Sequence, residues 1–249
     1  MSTRTPPSEF PDCDTVTAFN QALHGLLQIN VDKIKYCSHL AAHAASAYYL
    51  APYDEATALV IDGGLGIFKG EGNSIKPIDM YGYPNSMVDG RKIQVPDIWG
   101  PGPLYEHVTR QLGFSRHDGG KTMALASFGH EFEFEDCYSI TKNRHDSIRI
   151  DYRPTINWIV ANLPTFDVAQ EEDGGSALVS KFWVNLARQS QQILEEDVIF
   201  LVKESIKKSG SRNLVYSGGV AQSCVANRKI FDIGCADEIF IQPASSMRE

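Results

Sequence analysis

The sequence lacks most of the features that mark secreted, membrane or nucleic-acid-binding proteins. Its five cysteines include no CxxC pair, and an odd number cannot all pair within one chain, so a reducing environment is the simplest interpretation. No apolar run is long enough to cross a bilayer, and the first residues contain no signal-peptide core. The formal net charge of -8 argues against broad binding to a phosphate backbone. These absences predict a cytoplasmic protein without membrane or nucleic-acid partners.

Two common nucleotide-binding signatures are also missing. The segment "SGGVAQSCVAN" (residues 217–227) has glycines before a predicted helix, but not the complete GxGxxG pattern or the acidic residue of a dinucleotide fold. The segment "GGKT" (residues 119–122) imitates only the end of a P-loop, because the upstream glycine is absent. If the chain handles a nucleotide, it does so with another kind of site.

The order of predicted elements indicates an α/β protein. From residue 56 onward the pattern gives strand, strand, strand, helix, insertion, helix, strand, helix and strand, which favours a mixed sheet flanked by helices. Residues 32–38 are predicted as a short strand. Residues 177–210 are predicted as a long amphipathic helical stretch with one break.

Two histidines in an alanine-rich helix raise the possibility of a metal site. His39 and His43 are four residues apart, so both imidazoles lie on one helix face. Asp62 ends a predicted strand and could add an oxygen ligand. The alternative is an ordinary helix with one exposed histidine and one that bonds a neighbour, because HxxxH alone is a weak motif.

Two glycine turns, each after a predicted strand, are candidate anion sites. Gly63 and Gly64 follow Asp62, and Gly218 and Gly219 lie in the second turn. Such turns can leave backbone N–H groups free to meet a phosphate. The alternatives are a simple tight turn at the first pair and close strand–helix packing at the second.

Four ordered blocks of the sequence together resemble the nodulation-type O-carbamoyltransferases, a family with actin-like ATPase architecture. The blocks are "SHLAAHAASAYYLAPYDEATALVIDGG", "GPLYEHVTRQLGF", "GGKTMALASFG" and "NLVYSGGVAQSCVANRKIF…IFIQPA". The resemblance runs from about residue 37 to residue 244. The order of the four blocks is more specific than any one of them.

The resemblance implies duplicated RNase H-like lobes with nucleotide and metal in the cleft between them. Residues 1–13 are expected to be a disordered leader because they contain no signal-peptide core. On the basis of the resemblance, residues 14–54 are the tail of the first lobe, with the HxxxH helix. Residues 55–249 are then a nearly complete second lobe with an insertion at about 130–180.

The family resemblance also implies a two-step reaction. Carbamoyl phosphate and ATP give carbamoyl-adenylate in a separate domain, and the actin-like domain passes the carbamoyl group to a hydroxyl of a small-molecule acceptor. His39, His43 and Asp62 correspond to the family's ligands for a divalent metal. The sequence does not determine whether this metal is Fe, Mn, Mg or Zn. Such an ion would bind the adenylate phosphate and polarise the carbamoyl carbonyl.

The remaining implied site residues would bind ATP or carbamoyl-adenylate. Gly63 and Gly64 correspond to a phosphate-side loop. A nucleotide-side loop comprises Gly218, Gly219 and Val220. Lys121 is placed where a cation could lie near the phosphates.

The chain departs from the family pattern in ways that bear on activity. Relatives are longer, with a first-lobe histidine proposed as the base and a Gly-Asp-x-Gly turn that supplies a fourth metal ligand; here "IQPA" is followed by "SSMRE". The sequence therefore assigns no catalytic base. We expect a fragment, a subunit of a split enzyme or a degenerate paralogue, and a homodimer or partner chain that completes the cleft.

The sequence is also compatible with two other functions. A catalytically incomplete nucleotide-binding or scaffold protein would keep the fold without turnover. A sugar-kinase-like phosphotransferase of the same superfold would leave the HxxxH pair without a role.

Overall fold

The computed structural model describes residues 13–34, 37–81, 87–88, 91–92, 100–130, 161 and 181–245. The expected disordered leader and most of the expected insertion lie outside the described residues. Six α-helices are described: α1 (Cys13–Leu27), α2 (His39–Tyr48), α3 (Pro101–Gln111), α4 (Gly119–Ala126), α5 (Lys181–Ser209) and α6 (Cys224–Asp232). The described strands are β1 (Glu55–Ile61), β2 (Leu65–Glu71), β3 (Ser74–Tyr81), β4 (Met87–Val88), β5 (Arg91–Lys92), β6 (Asn213–Ser217) and β7 (Glu238–Ile241).

A five-stranded mixed sheet forms the centre of the described structure. Its order is β3-β2-β1-β6-β7, with β2 antiparallel to both of its neighbours and β1, β6 and β7 parallel. This order, with the second strand antiparallel, is that of an RNase H-like sheet. The predicted fold class, a mixed α/β sheet of RNase H-like type flanked by helices, is confirmed.

Strand β1 is buried on both faces because helices cover the sheet on both sides. Ala58 and Val60 belong to the apolar cluster that includes α2, whereas Leu59 and Ile61 belong to the cluster that includes α5. Side chains of a strand alternate between the faces of the sheet, so one short apolar run supplies two cores.

Helix α5 is continuous over 29 residues, so the predicted break is wrong. The helix contains neither proline nor glycine, the residues that most often interrupt a helix. Leu194, Val198 and Leu201 are buried on its sheet-facing side at helical spacing. The apolar and the charged residues of this stretch therefore lie on two different faces of one helix.

The predicted short strand at residues 32–38 is also wrong for its described part. Val31–Lys33 form a 3-10 turn, and residues 34, 37 and 38 belong to no strand. The Asn30 side chain accepts a hydrogen bond from the Asp32 N–H at 2.9 Å. This local cap stabilises a turn where alternation alone indicated an extended segment.

Helix α2 packs directly on the sheet. Its residues Leu40, Ala44 and Ala47 are buried in the cluster that contains β1. The proposed division at residues 54 and 55, between a first-lobe tail and a second lobe, stays a prediction. In the described residues, the helix with both histidines packs on the same sheet whose strand β1 ends just before Asp62.

Candidate metal centre and adjoining cavity

The candidate site lies at one edge of the sheet, where two parallel strands end. β1 and β6 are parallel neighbours, so their carboxyl ends lie side by side. Asp62 follows β1, and Gly218 and Gly219 follow β6. The two loops that the sequence singled out are therefore adjacent.

Helix α2 brings two imidazoles to the Asp62 carboxylate. His39 Nε2 lies 2.7 Å from Asp62 Oδ2, and His43 Nε2 lies 3.2 Å from the same oxygen. The two Nε2 atoms are themselves 3.2 Å apart. His43 is only 1% exposed, whereas His39 and Asp62 are partly open to solvent. Three donor atoms thus converge on one point.

The second carboxylate oxygen of Asp62 has a separate role. Oδ1 accepts a hydrogen bond from the Gly219 N–H at 3.1 Å, and the Asp62 N–H donates to Gly64 O at 2.8 Å. Burial by itself would raise the pKa of the Asp62 carboxyl, but its hydrogen bonds with His39, His43 and the Gly219 N–H together lower that pKa well below its usual range. Asp62 is therefore an anion at neutral pH, as a metal ligand must be.

The spacing of the three donor atoms fits a single divalent ion. Bonds of about 2.1 Å to nitrogen or oxygen place neighbouring ligand atoms roughly 3.0 Å apart in octahedral and 3.4 Å apart in tetrahedral coordination. The separations of 2.7, 3.2 and 3.2 Å lie close to that range. His39, His43 and Asp62 could hold a metal after small shifts of side chains.

A cavity of about 360 Å³ opens beside Asp62. It lies between the ends of β1 and β6, the first turns of α3 and α4, and the start of α6. Residues that line it include Asp62, Gly63, Tyr105, Glu106, Arg116, His117, Gly119, Gly120, Gly219, Val220 and Ser223. A ligand in this cavity would reach the metal centre through Asp62.

The predicted loop residues divide into two groups. Gly63, Gly219 and Val220 line the cavity, whereas Gly64 and Gly218 are buried behind it. Gly218 has φ +96°, and a Cβ there would lie 2.3 Å from Ile61 O. This glycine serves the close approach of the two loops.

Lys121 is not among the residues that line the cavity. Its ammonium group pairs with Asp118 at 2.9 Å and lies 5.8 Å from the centre of the Phe114 ring. The predicted contact with phosphate would require the side chain to leave these partners. That role stays a prediction.

Several residues of the cavity wall were not singled out from the sequence. Tyr105 donates a hydrogen bond to Gln191 Oε1 at 2.7 Å, and Gln191 Nε2 donates to Glu195 Oε1 at 2.8 Å and to Ser223 Oγ at 3.4 Å. Burial, reinforced by the Glu195 charge, raises the pKa of Tyr105. This network joins α3, α5 and the start of α6 behind the cavity. No motif predicts it, because its members lie far apart in sequence.

Comparison with known families identifies the chain's relatives. The family model described as the carbamoyltransferase N-terminus matches residues 14–247. The chain belongs to this carbamoyltransferase family. The order of the four sequence blocks predicted this family, and the prediction is confirmed.

Two nodulation proteins are similar to this member of the carbamoyltransferase family. NolNO of Sinorhizobium fredii is 28% identical over 240 residues, which cover 90% of this chain and 32% of that protein. NolO of Bradyrhizobium diazoefficiens is 25% identical over 209 residues, covering 84% and 35% of the respective chains. The carbamoyltransferase-family chain thus spans about a third of the length of these relatives.

A solved structure with some likeness is a ROK family glucokinase from Streptomyces griseus, in complex with glucose and AMPPNP. It is 13% identical, with a TM-score of 0.36, and the match covers 80% of this chain and 61% of that one. So low a score carries no argument, and the fold assignment rests on the strand order. Among the described helices of the family member, none has the length and apolar character needed to cross a membrane.

Proposed function

We propose that this chain is the transfer domain of an O-carbamoyltransferase. It would move a carbamoyl group from carbamoyl-adenylate, made from carbamoyl phosphate and ATP, to a hydroxyl group of a small-molecule acceptor. The convergence of His39, His43 and Asp62 beside a ligand-sized cavity carries the proposal. Membership of the carbamoyltransferase family supplies the group that is transferred.

The proposed metal ligands are His39, His43 and Asp62. Two imidazoles and one carboxylate on one side of an ion leave other positions open, a set that suits Fe²⁺, Mn²⁺ or Zn²⁺ better than Mg²⁺, which prefers oxygen ligands. When bound, the ion would hold the adenylate phosphate and polarise the carbamoyl carbonyl. The protein contributes the fixed position of the three donor atoms.

The proposed reaction exchanges one acyl bond for another. The bond between the carbamoyl carbon and the phosphate oxygen breaks, and AMP leaves with the electron pair. A bond forms between the same carbon and the acceptor oxygen, and the proton of the acceptor hydroxyl passes to solvent. The transfer requires the reacting carbonyl to lie near the metal ligands, so the adenylate must bind next to Asp62.

The cavity is the proposed site for the nucleoside part of the adenylate. Its volume of about 360 Å³ lies in the range of small-molecule sites. Gly119 and Gly120 form the first turn of α4 in the cavity wall, and the N-terminus of a helix favours negative charge. We propose that the phosphate lies between this turn and Asp62, with the nucleoside toward Tyr105 and Ser223.

The proposal is tested with the chain, carbamoyl-adenylate and one divalent ion at a time. We expect binding of carbamoyl-adenylate that depends on the metal, measured by calorimetry, and AMP release that increases when a hydroxyl-bearing acceptor from a panel is added. A His39→Ala/His43→Ala variant should lose both effects. Metal-independent binding of carbamoyl-adenylate would contradict the proposal.

That experiment, together with a second assay of the same chain with ATP and a sugar, separates the two remaining functions. Metal-dependent binding without AMP release would select the nucleotide-binding or scaffold protein. Phosphate transfer from ATP to a sugar, without need of the histidines, would select the kinase-like function. A homodimer or partner chain that completes the cleft is a further proposal, and a single monomeric species in sedimentation velocity would contradict it.

A further inference from the structure

The helix that carries both histidines is held by side chains from two strand ends. Ser217, the last residue of β6, donates its hydroxyl hydrogen bond to His43 O at 2.9 Å. Gln242, the first residue after β7, donates from Nε2 to Ser46 O at 2.7 Å. Both bonds reach the backbone of α2 on the side that faces the sheet.

The donors of these bonds are buried and fixed in place. Ser217 is 1% exposed and Gln242 is 7% exposed. Gln242 donates its own backbone N–H to Tyr216 O at 3.0 Å, and its Oε1 accepts from the Ala244 N–H at 3.3 Å. Ser217 belongs to β6 itself. The sheet therefore determines where each donor lies.

The apolar contact of α2 with the sheet combines large and small side chains. Leu40 and Tyr48 are buried in it, and the Tyr48 hydroxyl lies 2.9 Å from both Asp54 O and Gly72 O. Between them the contact is made by Ala44 and Ala47, and alanine side chains form shallow ridges that resist sliding and rotation less than large side chains do. Ser46 also lies in the last turn of the helix, where carbonyl groups lack a partner within the helix.

Two hydrogen bonds three residues apart restrain this part of α2, where the packed side chains are small. The bond to His43 O holds one of the two residues whose imidazoles face Asp62, and the bond to Ser46 O holds the next turn. We propose that Ser217 and Gln242 are positioning residues for the metal centre. They prevent α2 from sliding along its axis and from rotating about it. The two imidazoles and Asp62 are thereby held close enough together to bind the same ion. This inference rests on the proposed metal site.

The test compares Ser217→Ala and Gln242→Met with the unchanged chain. Ser217→Ala removes the hydroxyl donor. Gln242→Met removes the Nε2 donor together with the Oε1 atom that accepts from the Ala244 N–H, and methionine keeps nearly the volume of glutamine. Co²⁺ serves as the probe because its visible absorption reports coordination geometry, and calorimetry gives its affinity. The melting temperature of the metal-free protein measures the effect on folding.

Thr57→Val is the matched control. Thr57 is fully buried, and its hydroxyl donates to Ser211 O at 2.7 Å, a carbonyl far away in sequence at the opposite end of β1. The Thr57→Val substitution therefore removes a hydrogen bond from a buried side chain to a backbone carbonyl, as the test substitutions do, but this carbonyl does not belong to α2. We expect both test variants to bind Co²⁺ roughly tenfold more weakly, with an altered absorption spectrum, and Thr57→Val to change neither.

Each outcome decides one question. Failure of the unchanged chain to bind Co²⁺ would overturn the proposed metal site, and the positioning role with it. If the unchanged chain binds Co²⁺ and both test variants keep its affinity and spectrum, the metal site stands and the positioning role is wrong. If Ser217→Ala does not fold, Gln242→Met tests the same inference through an independent bond.

Discussion

The two ends of the central strand β1 both contain buried polar side chains, yet they are built differently. At the amino end, the hydroxyl groups of Thr57 and Ser209 contact each other, and Asn213 donates to Glu55 O at 3.0 Å. At the carboxyl end, Asp62 meets two imidazoles beside an open cavity. Polar atoms at the first end bond to one another or to backbone, whereas those at the second converge on a point that a ligand can reach.

The difference shows how polar side chains that stabilise the fold can be distinguished in this chain from those that could bind a ligand. A hydroxyl that donates to a backbone carbonyl has used its only hydrogen and ties two segments together. Imidazole nitrogens and carboxylate oxygens about 3 Å apart have instead the spacing of metal ligands. Burial alone would not distinguish the two ends.

The largest expected effect follows from removal of the histidines. His39→Ala/His43→Ala should lower affinity for a divalent ion by at least about a hundredfold, because ligand loss exceeds the cost of losing an outer-shell partner. Calorimetric titration and metal analysis measure it. Thr57→Val at the other end of β1 is the control. Equal metal content in the double variant and the unchanged chain would refute the ligand assignment.

A glycine flanks each end of β6, and the two should respond unequally to alanine. Gly218→Ala should lower the free energy of unfolding by at least about 2 kcal/mol, because φ is +96° and the new Cβ would meet Ile61 O at 2.3 Å. Gly210→Ala, with φ +80° but no atom within 4 Å, should cost about 1 kcal/mol. Urea denaturation measures both. Equal losses would contradict the tight contact at the carboxyl end.

Thr57→Val should destabilise the chain without affecting metal binding. The substitution removes the bond to Ser211 O and leaves that carbonyl short of a partner, at a cost of about 1–2 kcal/mol in the free energy of unfolding. Denaturant unfolding and Co²⁺ titration of the same sample give the two quantities. A change in Co²⁺ affinity would show that the two ends of β1 are not independent.

The smallest effect is expected at Lys121. Lys121→Ala removes an exposed ion pair with Asp118, so the free energy of unfolding should change by less than about 1 kcal/mol. Adenylate affinity should also stay unchanged, because the side chain is directed to Asp118 and not to the cavity. Calorimetry with the unchanged chain as reference measures it. A clear loss of affinity would support the phosphate role that the family resemblance implies for this lysine.

The local sequence pattern was sufficient to predict the strands of the sheet and to select the candidate metal ligands. The apolar run of β1, the glycine turns and the helical spacing of His39 and His43 each depend on a few neighbouring residues. The family resemblance then associated Asp62 with the histidines. The structure adds that their donor atoms lie within 4.8 Å of one another.

The cavity wall could not be predicted in the same way. Tyr105, Arg116 and His117 face the cavity because of how α3 and the segment after it pack against α5, which long-range contacts decide. The contacts of Lys121 with Asp118 and Phe114 are likewise invisible in a motif. The prediction of a short strand at residues 32–38 was wrong for a local reason. The hydrogen bond from the Asp32 N–H to the Asn30 side chain stabilises a 3-10 turn there.

Asp62 divides its two carboxylate oxygens between two partners, with consequences for energetic coupling. Oδ2 faces the imidazoles, and Oδ1 holds the Gly219 N–H of the turn that forms one wall of the cavity. A cation that draws electron density from this carboxylate weakens its second bond, and a ligand that displaces the turn disturbs the first. By thermodynamic linkage, the factor by which an ion changes affinity for a cavity ligand equals the factor by which that ligand changes affinity for the ion. Through Asp62, the affinity for an ion and the affinity for a cavity ligand would thus be coupled.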